Sequence, residues 1–148
     1  MNTIESILEE WKIDCQISSH DLADESRNTP KLHTKYLIAL SNAKLRLKDA
    51  EMKQRVLLKD KWLWYNGKMT KQQMDARGWD YDALDGIKVL KGEMDHYYDS
   101  DKEIQESEMK IEYIKTIIDT LKEITDALKW RHQTIRNMIE WRKFEAGG

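Results

Sequence analysis

The chain has 148 residues, 40% hydrophobic and 35% charged, with 25 Lys/Arg against 27 Asp/Glu, enough for one domain with a real core and too short for two comfortable ones. One Pro, six Gly and a single Cys leave no flexible linker, no disulfide framework and no zinc cluster, and a lone Cys fits a reducing cytoplasm. With no signal-peptide h-region and no apolar run of about 18 residues, neither a signal peptide nor a membrane-spanning helix is expected.

Val and Phe are sparse while Lys, Glu, Leu, Ile and Met are plentiful, the composition of an all-α protein. The formal net charge of −2 conceals blocks of opposite sign. Residues 1–30 hold seven acids and two bases, 31–68 hold three acids and ten bases, and 75–126 hold fifteen acids and seven bases. The +7 segment is the feature to explain.

In chain order, Thr3 caps a first helix whose Ile4, Ile7, Leu8, Trp11 and Cys15 form one apolar stripe, with Cys15 read as a small core hydrophobe. A short segment, His20 to Arg27, precedes a long helix over 30–66, with Thr29 as N-cap, Pro30 at the first helical position and Gly67 as the left-handed stop. At roughly 100° per residue, Tyr36, Leu40, Ala43, Leu47, Ala50, Leu57 and Tyr65 share one face, and Leu45, Met52, Val56 and Leu63 form a second apolar row nearly opposite. Two apolar faces predict a helix gripped from both sides. Between them run two basic rows: Lys44, Lys48, Arg55 and Lys59, carrying Trp62, and Arg46 and Lys53, carrying Trp64, with Lys61 at the second row's edge.

Thr70 to Gln73 is a capping box for a short helix ended by Gly78, and an acidic, aromatic loop from Trp79 to Gly86 comes next. Ile87, Leu90, Met94, Tyr97 and Tyr98 repeat at helical spacing and predict another short helix. Ser100 to Glu103 reads as a second capping box. It opens a heptad seam of about five repeats: Ile104, Ser107, Ile111, Ile114, Ile118, Leu121, Thr125, Leu128, His132, Ile135 and Ile139, with room for a break at Lys129 to His132. Ile117, Ile124 and Met138 widen the seam beyond a two-stranded zipper.

Catalytic motifs are missing: there is no Gly-rich phosphate loop, no HExxH and no Ser/His/Asp grouping, and the four His are scattered. No enzyme, metal or cofactor is expected. Asp95, Asp99, Asp101 and Glu103 lack the glycine of a calcium loop, and helix capping accounts for the last two better. The stretch Leu58 to Lys68 stands apart, because lysines neutralise phosphates while Trp faces stack on unpaired bases. Lys44, Lys48, Lys53, Arg55, Lys59, Lys61, Trp62, Trp64 and Lys68 are therefore candidate single-strand contacts. The competing reading makes both Trp core residues and the lysines a solvated face.

Two blocks resemble a known family: Leu58-Lys-Asp-Lys-Trp-Leu-Trp-Tyr65, and Ile135 to Gly147 with its Phe144-Glu-Ala-Gly147 ending. Over essentially its whole length the chain is similar to the UvsY family, the recombination mediator proteins of T-even-type phages. The resemblance implies an all-α protein, one helical domain over 1–148, with a strand-binding N-terminal part (1–98) and an oligomerising C-terminal part (99–148). It implies a homo-oligomeric ring, hexamer or heptamer, that binds single-stranded DNA and helps load a phage recombinase onto strands covered by a phage single-strand-binding protein. No membrane is involved, and the setting is the cytoplasm of the infected bacterial host. Lys59 and Lys61 match the family's two basic DNA-binding positions, the second often Arg, so Lys61 keeps the charge without the planar fork. Ile135, Met138, Ile139, Trp141 and Phe144 fall in the family's oligomerisation element. Trp130-Arg131-His132 stands where relatives carry a Gly-containing turn. An alternative without the resemblance is a structural or adaptor coiled coil with no DNA affinity, its basic segment paired with the acidic 75–126 region of a neighbour.

Overall fold

The computed structural model describes residues 1–147, folded as six helices with no strand among them: α1 (Ile4–Asp14), α2 (Leu22–Tyr65), α3 (Lys71–Arg77), α4 (Met94–Ser100), α5 (Lys102–Lys129) and α6 (Arg131–Glu145). The all-α expectation is met. Local start and stop chemistry explains most boundaries. Thr3 and Thr70 each accept the N3 backbone N–H on the side-chain hydroxyl and donate their own backbone N–H to the side-chain oxygens of Ser6 and Gln73. Gly67 (φ 67°) closes α2 in the left-handed conformation, with the Lys68 N–H donating to the Leu63 carbonyl at 2.8 Å.

Three boundaries depart from expectation, and a fourth falls where the sequence leaves room for it. First, α2 begins at Leu22, not at Pro30. Asp21 accepts the Asp24 N–H on its side chain (3.2 Å) and the Glu25 N–H on its carbonyl (3.1 Å), so the cap lies upstream and Pro30 sits inside the helix. Second, residues 87–93 form no helix: Gly86 and Gly92 take φ 83° and 89°, and Ile87 and Leu90 stay exposed. Third, the box at Ser100 is replaced by Asp101, whose carboxylate accepts the Ile104 N–H at 3.0 Å, while the Ser100 hydroxyl turns back to the His96 carbonyl. Fourth, the seam breaks at Trp130, inside the window the sequence leaves open.

The chain forms two compact units, Met1–Arg46 with the chain from Ile114 onward, and Leu47–Tyr113. In the first, Ile7 alone of the α1 stripe is buried, with Leu8 48% exposed, and one face of α2 and α5 is buried through Leu32, Tyr36, Leu40, Ala43, Ile114, Ile117, Ile118, Leu121, Ile124 and Leu128, with Ile135 of α6. Trp11 meets Tyr36 edge-on with centroids 5.5 Å apart. Cys15 is exposed, contrary to the core role expected of it. The Arg131 guanidinium is buried, bonding the Glu25 carboxylate and the Thr29 hydroxyl (2.9 Å). Asp14 accepts from the Lys35 ammonium at 2.6 Å and the Tyr36 hydroxyl at 2.8 Å.

Burial pushes the Asp14 carboxyl up, but the bonds from Lys35 and Tyr36 and the charges of Lys35 and Arg131 outweigh it and hold it below its ordinary 3.8. A carboxyl depressed on folding stabilises above its unfolded value, and that stability is lost as pH falls through the folded one. Thermal melts of an Asp14→Asn variant between about pH 5 and 2 should therefore fall less steeply than those of the parent chain. Parallel curves would show the contact to be energetically idle.

In the second unit, Met69, Met74 and Trp79 form a buried cluster against Leu57, Leu63 and Trp64, and Ala50, Ile104 and Ile111 are buried as well. The second apolar row of α2 is not gripped. Leu45, Met52 and Val56 are 70%, 53% and 54% exposed, and only Leu63 of that row finds packing.

Candidate nucleic-acid interface

The basic rows of α2 face solvent because the helix buries one face only. Lys44, in the first unit, is exposed, as are Lys48, Lys53, Arg55 and Lys59 in the second. Lys53 pairs with Asp49 at 2.9 Å, while Lys48, Arg55 and Lys59 have no carboxylate partner among the described residues. Trp62 stands three positions after Lys59, so both share one side of the last turns. Its indole is 41% exposed, and the Lys68 ammonium lies 4.7 Å from the ring centroid, folded over from beyond Gly67. The sequence groups Lys68 with these residues but does not predict that contact.

Lys61 and Trp64 are placed otherwise. Helical phase puts Lys61 at the edge of an exposed row, but it is 3% exposed and its charge is spent inside the protein. Its ammonium lies 3.1 Å from Asp101 and 3.2 Å from Glu103, against the neighbouring rings of Trp64 (4.6 Å to the centroid) and Trp79 (4.0 Å). Helix geometry contains a signal for this: Lys61 comes 11 residues after the buried Ala50, about three full turns, and so points nearly the same way. Trp64 is half-buried, 5.2 Å from Trp79 between centroids, with its N–H donated to the Asp80 carbonyl at 2.7 Å.

The partners that complete this arrangement are not visible in the sequence. Asp101 accepts the Tyr65 hydroxyl at 2.6 Å, and Glu103 accepts the Trp79 N–H at 2.5 Å. Burial raises the Asp101 carboxyl, yet the bonds from Tyr65, the Ile104 N–H and Lys61, with the Lys61 charge, bring it below the usual aspartate value. These two acids belong to the 75–126 block, and here they neutralise a lysine of their own chain.

The residues expected in oligomerisation also divide. Ile135 is buried in the first unit and Met138 is half-buried. Ile139, Trp141 and Phe144 are 38%, 63% and 70% exposed, and the last two stack with centroids 5.5 Å apart and planes at 22°. Trp130, at the break, is 69% exposed.

An all-helical fold that sets solvent-facing lysines beside an exposed indole has the features of single-stranded nucleic-acid binders that engage charge and base faces rather than sequence. The chain belongs to the UvsY family, described as recombination, repair and ssDNA binding protein UvsY, whose model matches residues 10–148. The recombination protein uvsY of Enterobacteria phage T4 is 29% identical over 144 residues, 97% of this chain and 98% of its own length. Crystal structures of the bacteriophage T4 recombination mediator protein UvsY align with a TM-score of 0.80 at 26% identity. In one lattice the match covers 99% of both chains, and in another 95% of this chain and 98% of that one. No helix among the described residues is long and apolar enough to cross a membrane.

Proposed function

We propose that this chain is a non-enzymatic recombination mediator that holds single-stranded DNA on the solvent face of α2. Lys48, Lys53, Arg55, Lys59 and Lys68, joined by Lys44, supply charge, and Trp62 supplies a stacking surface; Lys61 and Trp64 stand behind them. The family's part in recombination and its single-strand binding support the reading. The observation that carries it is the exposed Trp62 indole beside a Lys59 without a carboxylate partner and beneath the Lys68 ammonium. In this account the part around residues 30–66 engages the strand and the part from 99 onward joins copies. A homo-oligomeric ring, hexamer or heptamer, then places several weak sites on one strand. The ring would help load the phage recombinase onto DNA covered by the phage single-strand-binding protein, in the cytoplasm of the infected host.

Titration of labelled oligothymidine across a salt series tests the charge. Lys59→Ala should lower the slope of log affinity against log salt by ~0.7 per protomer engaged. An unchanged slope in a folded variant moves the strand off this face. Trp62→Ala should cost about 1–3 kcal/mol for each base it stacks, with little change in melting because the ring is already part-exposed. An early-melting variant that binds normally when cool would make Trp62 a packing residue.

One observation favours a second reading. The uncovered Met52 and Val56 lie beside the basic residues of the second unit, as a protein-docking face would have them. A chain that assembles stably yet shows no salt-dependent single-strand affinity would establish the adaptor role instead.

A further inference from the structure

Lys59 and Lys61 look equivalent in sequence and are opposites in space. Two residues apart on a helix is a rotation of about 200°, so the two side chains leave α2 on nearly opposite sides. A strand lying along the Lys59 side cannot reach the Lys61 ammonium without passing round the helix. That ammonium already has a complete shell: carboxylates of Asp101 and Glu103 at 3.1 and 3.2 Å, and two indole faces at 4.0 and 4.6 Å. Withdrawing it would leave Asp101 buried without its counter-charge, a loss several times what one solvent-exposed phosphate contact returns.

The shell also ties distant pieces of chain together. Through Lys61 and Tyr65 the last turns of α2 meet the first turn of α5 at Asp101 and Glu103. Trp79, from the segment after α3, is bound to the same Glu103, and the Tyr98 hydroxyl of α4 donates to the Leu58 carbonyl of α2 at 3.2 Å. Arg77 adds a bond to Asp60 at 2.6 Å. These anchors of the α2 end leave the side chains of Lys59 and Trp62 untouched.

We infer that Lys61 is a positioning residue: held against the Trp64 and Trp79 rings and paired with Asp101 and Glu103, its ammonium fixes the last turns of α2 so that Lys59, Trp62 and Lys68 present one surface to a single strand, and it makes no phosphate contact of its own. The inference rests on the strand-binding reading above and divides the two lysines that the family likeness groups together.

Salt-dependent titration of full-length protein with oligothymidine separates the roles. Lys59→Ala serves as the reference for a lost phosphate contact, a slope lower by ~0.7 per protomer engaged. The double variant Lys61→Met/Asp101→Asn removes the buried charges as a pair, and Asn still caps α5. It should keep the wild-type slope. Asp101→Asn alone loosens the hold on Lys61 and should weaken binding by a constant factor at every salt concentration, measured well below its melting temperature and with its assembly size unchanged. A lysine waiting for phosphate predicts the reverse, because losing a competing carboxylate would tighten binding. A slope drop in the double variant equal to that of Lys59→Ala, or tighter binding by Asp101→Asn, overturns the inference. So does unchanged affinity in Asp101→Asn with only a lowered melting point, which would make the shell purely structural. Absence of wild-type binding at any salt would instead remove the strand-binding reading itself.

Discussion

Trp141→Ala/Phe144→Ala is expected to reduce the protein to monomers or small oligomers and to weaken single-strand binding by about 10²–10⁴-fold, with Lys59 and Trp62 untouched. Both rings are mostly in water, stacked on each other rather than on the core, so their loss costs the protomer little. An exposed aromatic pair continuous with Ile139 has the character of an interface, and an identical neighbour is the simplest partner. The large factor arises because sites linked in one assembly meet the strand at high effective concentration, whereas separated sites must each bind alone. Substitution is a sharper tool here than truncation at Ile135, which would strip a residue 3% exposed from the first unit. Sedimentation beside oligothymidine titration decides the matter. A species as large as the parent assembly would move the interface elsewhere, with Trp130 and the uncovered row of α2 the next surfaces to vary.

The second large effect concerns stability. Arg131→Ala should destabilise the chain by about 3 kcal/mol, the lower end for breaking a buried ion pair, because Glu25 retains some contact with water. For a chain of this size that corresponds to about 6–12 °C in Tm. The guanidinium is 4% exposed and bonds the Glu25 carboxylate and the Thr29 hydroxyl, so its removal strands two acceptors at once. Single-strand affinity at low temperature should be nearly unaltered. A loss below about 1 kcal/mol in denaturant titration would place the pair among weakly contributing surface bridges.

Legibility depended on the range of the determinant. The capping boxes at Thr3 and Thr70, the stop at Gly67 and the seam through Ile111, Ile114, Ile118 and Leu121 depend on residues within a turn or two, and sequence contains them. The spacing of Ile87, Leu90 and Met94 is equally regular, yet Gly86 and Gly92 adopt positive φ and no buried surface holds that segment as a helix. Periodicity also produces two apolar rows on α2 but cannot say that only one finds a covering layer. Lys61 shows the limit most clearly. Its angular position beside Ala50 is readable, but the carboxylates that make burial tolerable are 40 and 42 residues away and the Trp79 indole 18, in contacts only the fold creates. Within the candidate site, exposure of Lys59 is a matter of helix phase, whereas the fold of Lys68 back over Trp62 depends on the turn at Gly67.

Pro30 gives α2 an uneven grain. Lacking an N–H, it leaves the Ser26 carbonyl, on an exposed stretch of the helix, without its usual rung. Leu22 to Thr29 therefore join the rest of α2 with one ladder bond fewer and are held as well by side chains, the Asp21 cap at the start and Arg131 gripping Glu25 and Thr29. A rung is thus missing where the first two turns join the rest of α2, and what holds them in place includes the buried Leu22 side chain and a guanidinium from α6 more than a hundred positions along the chain.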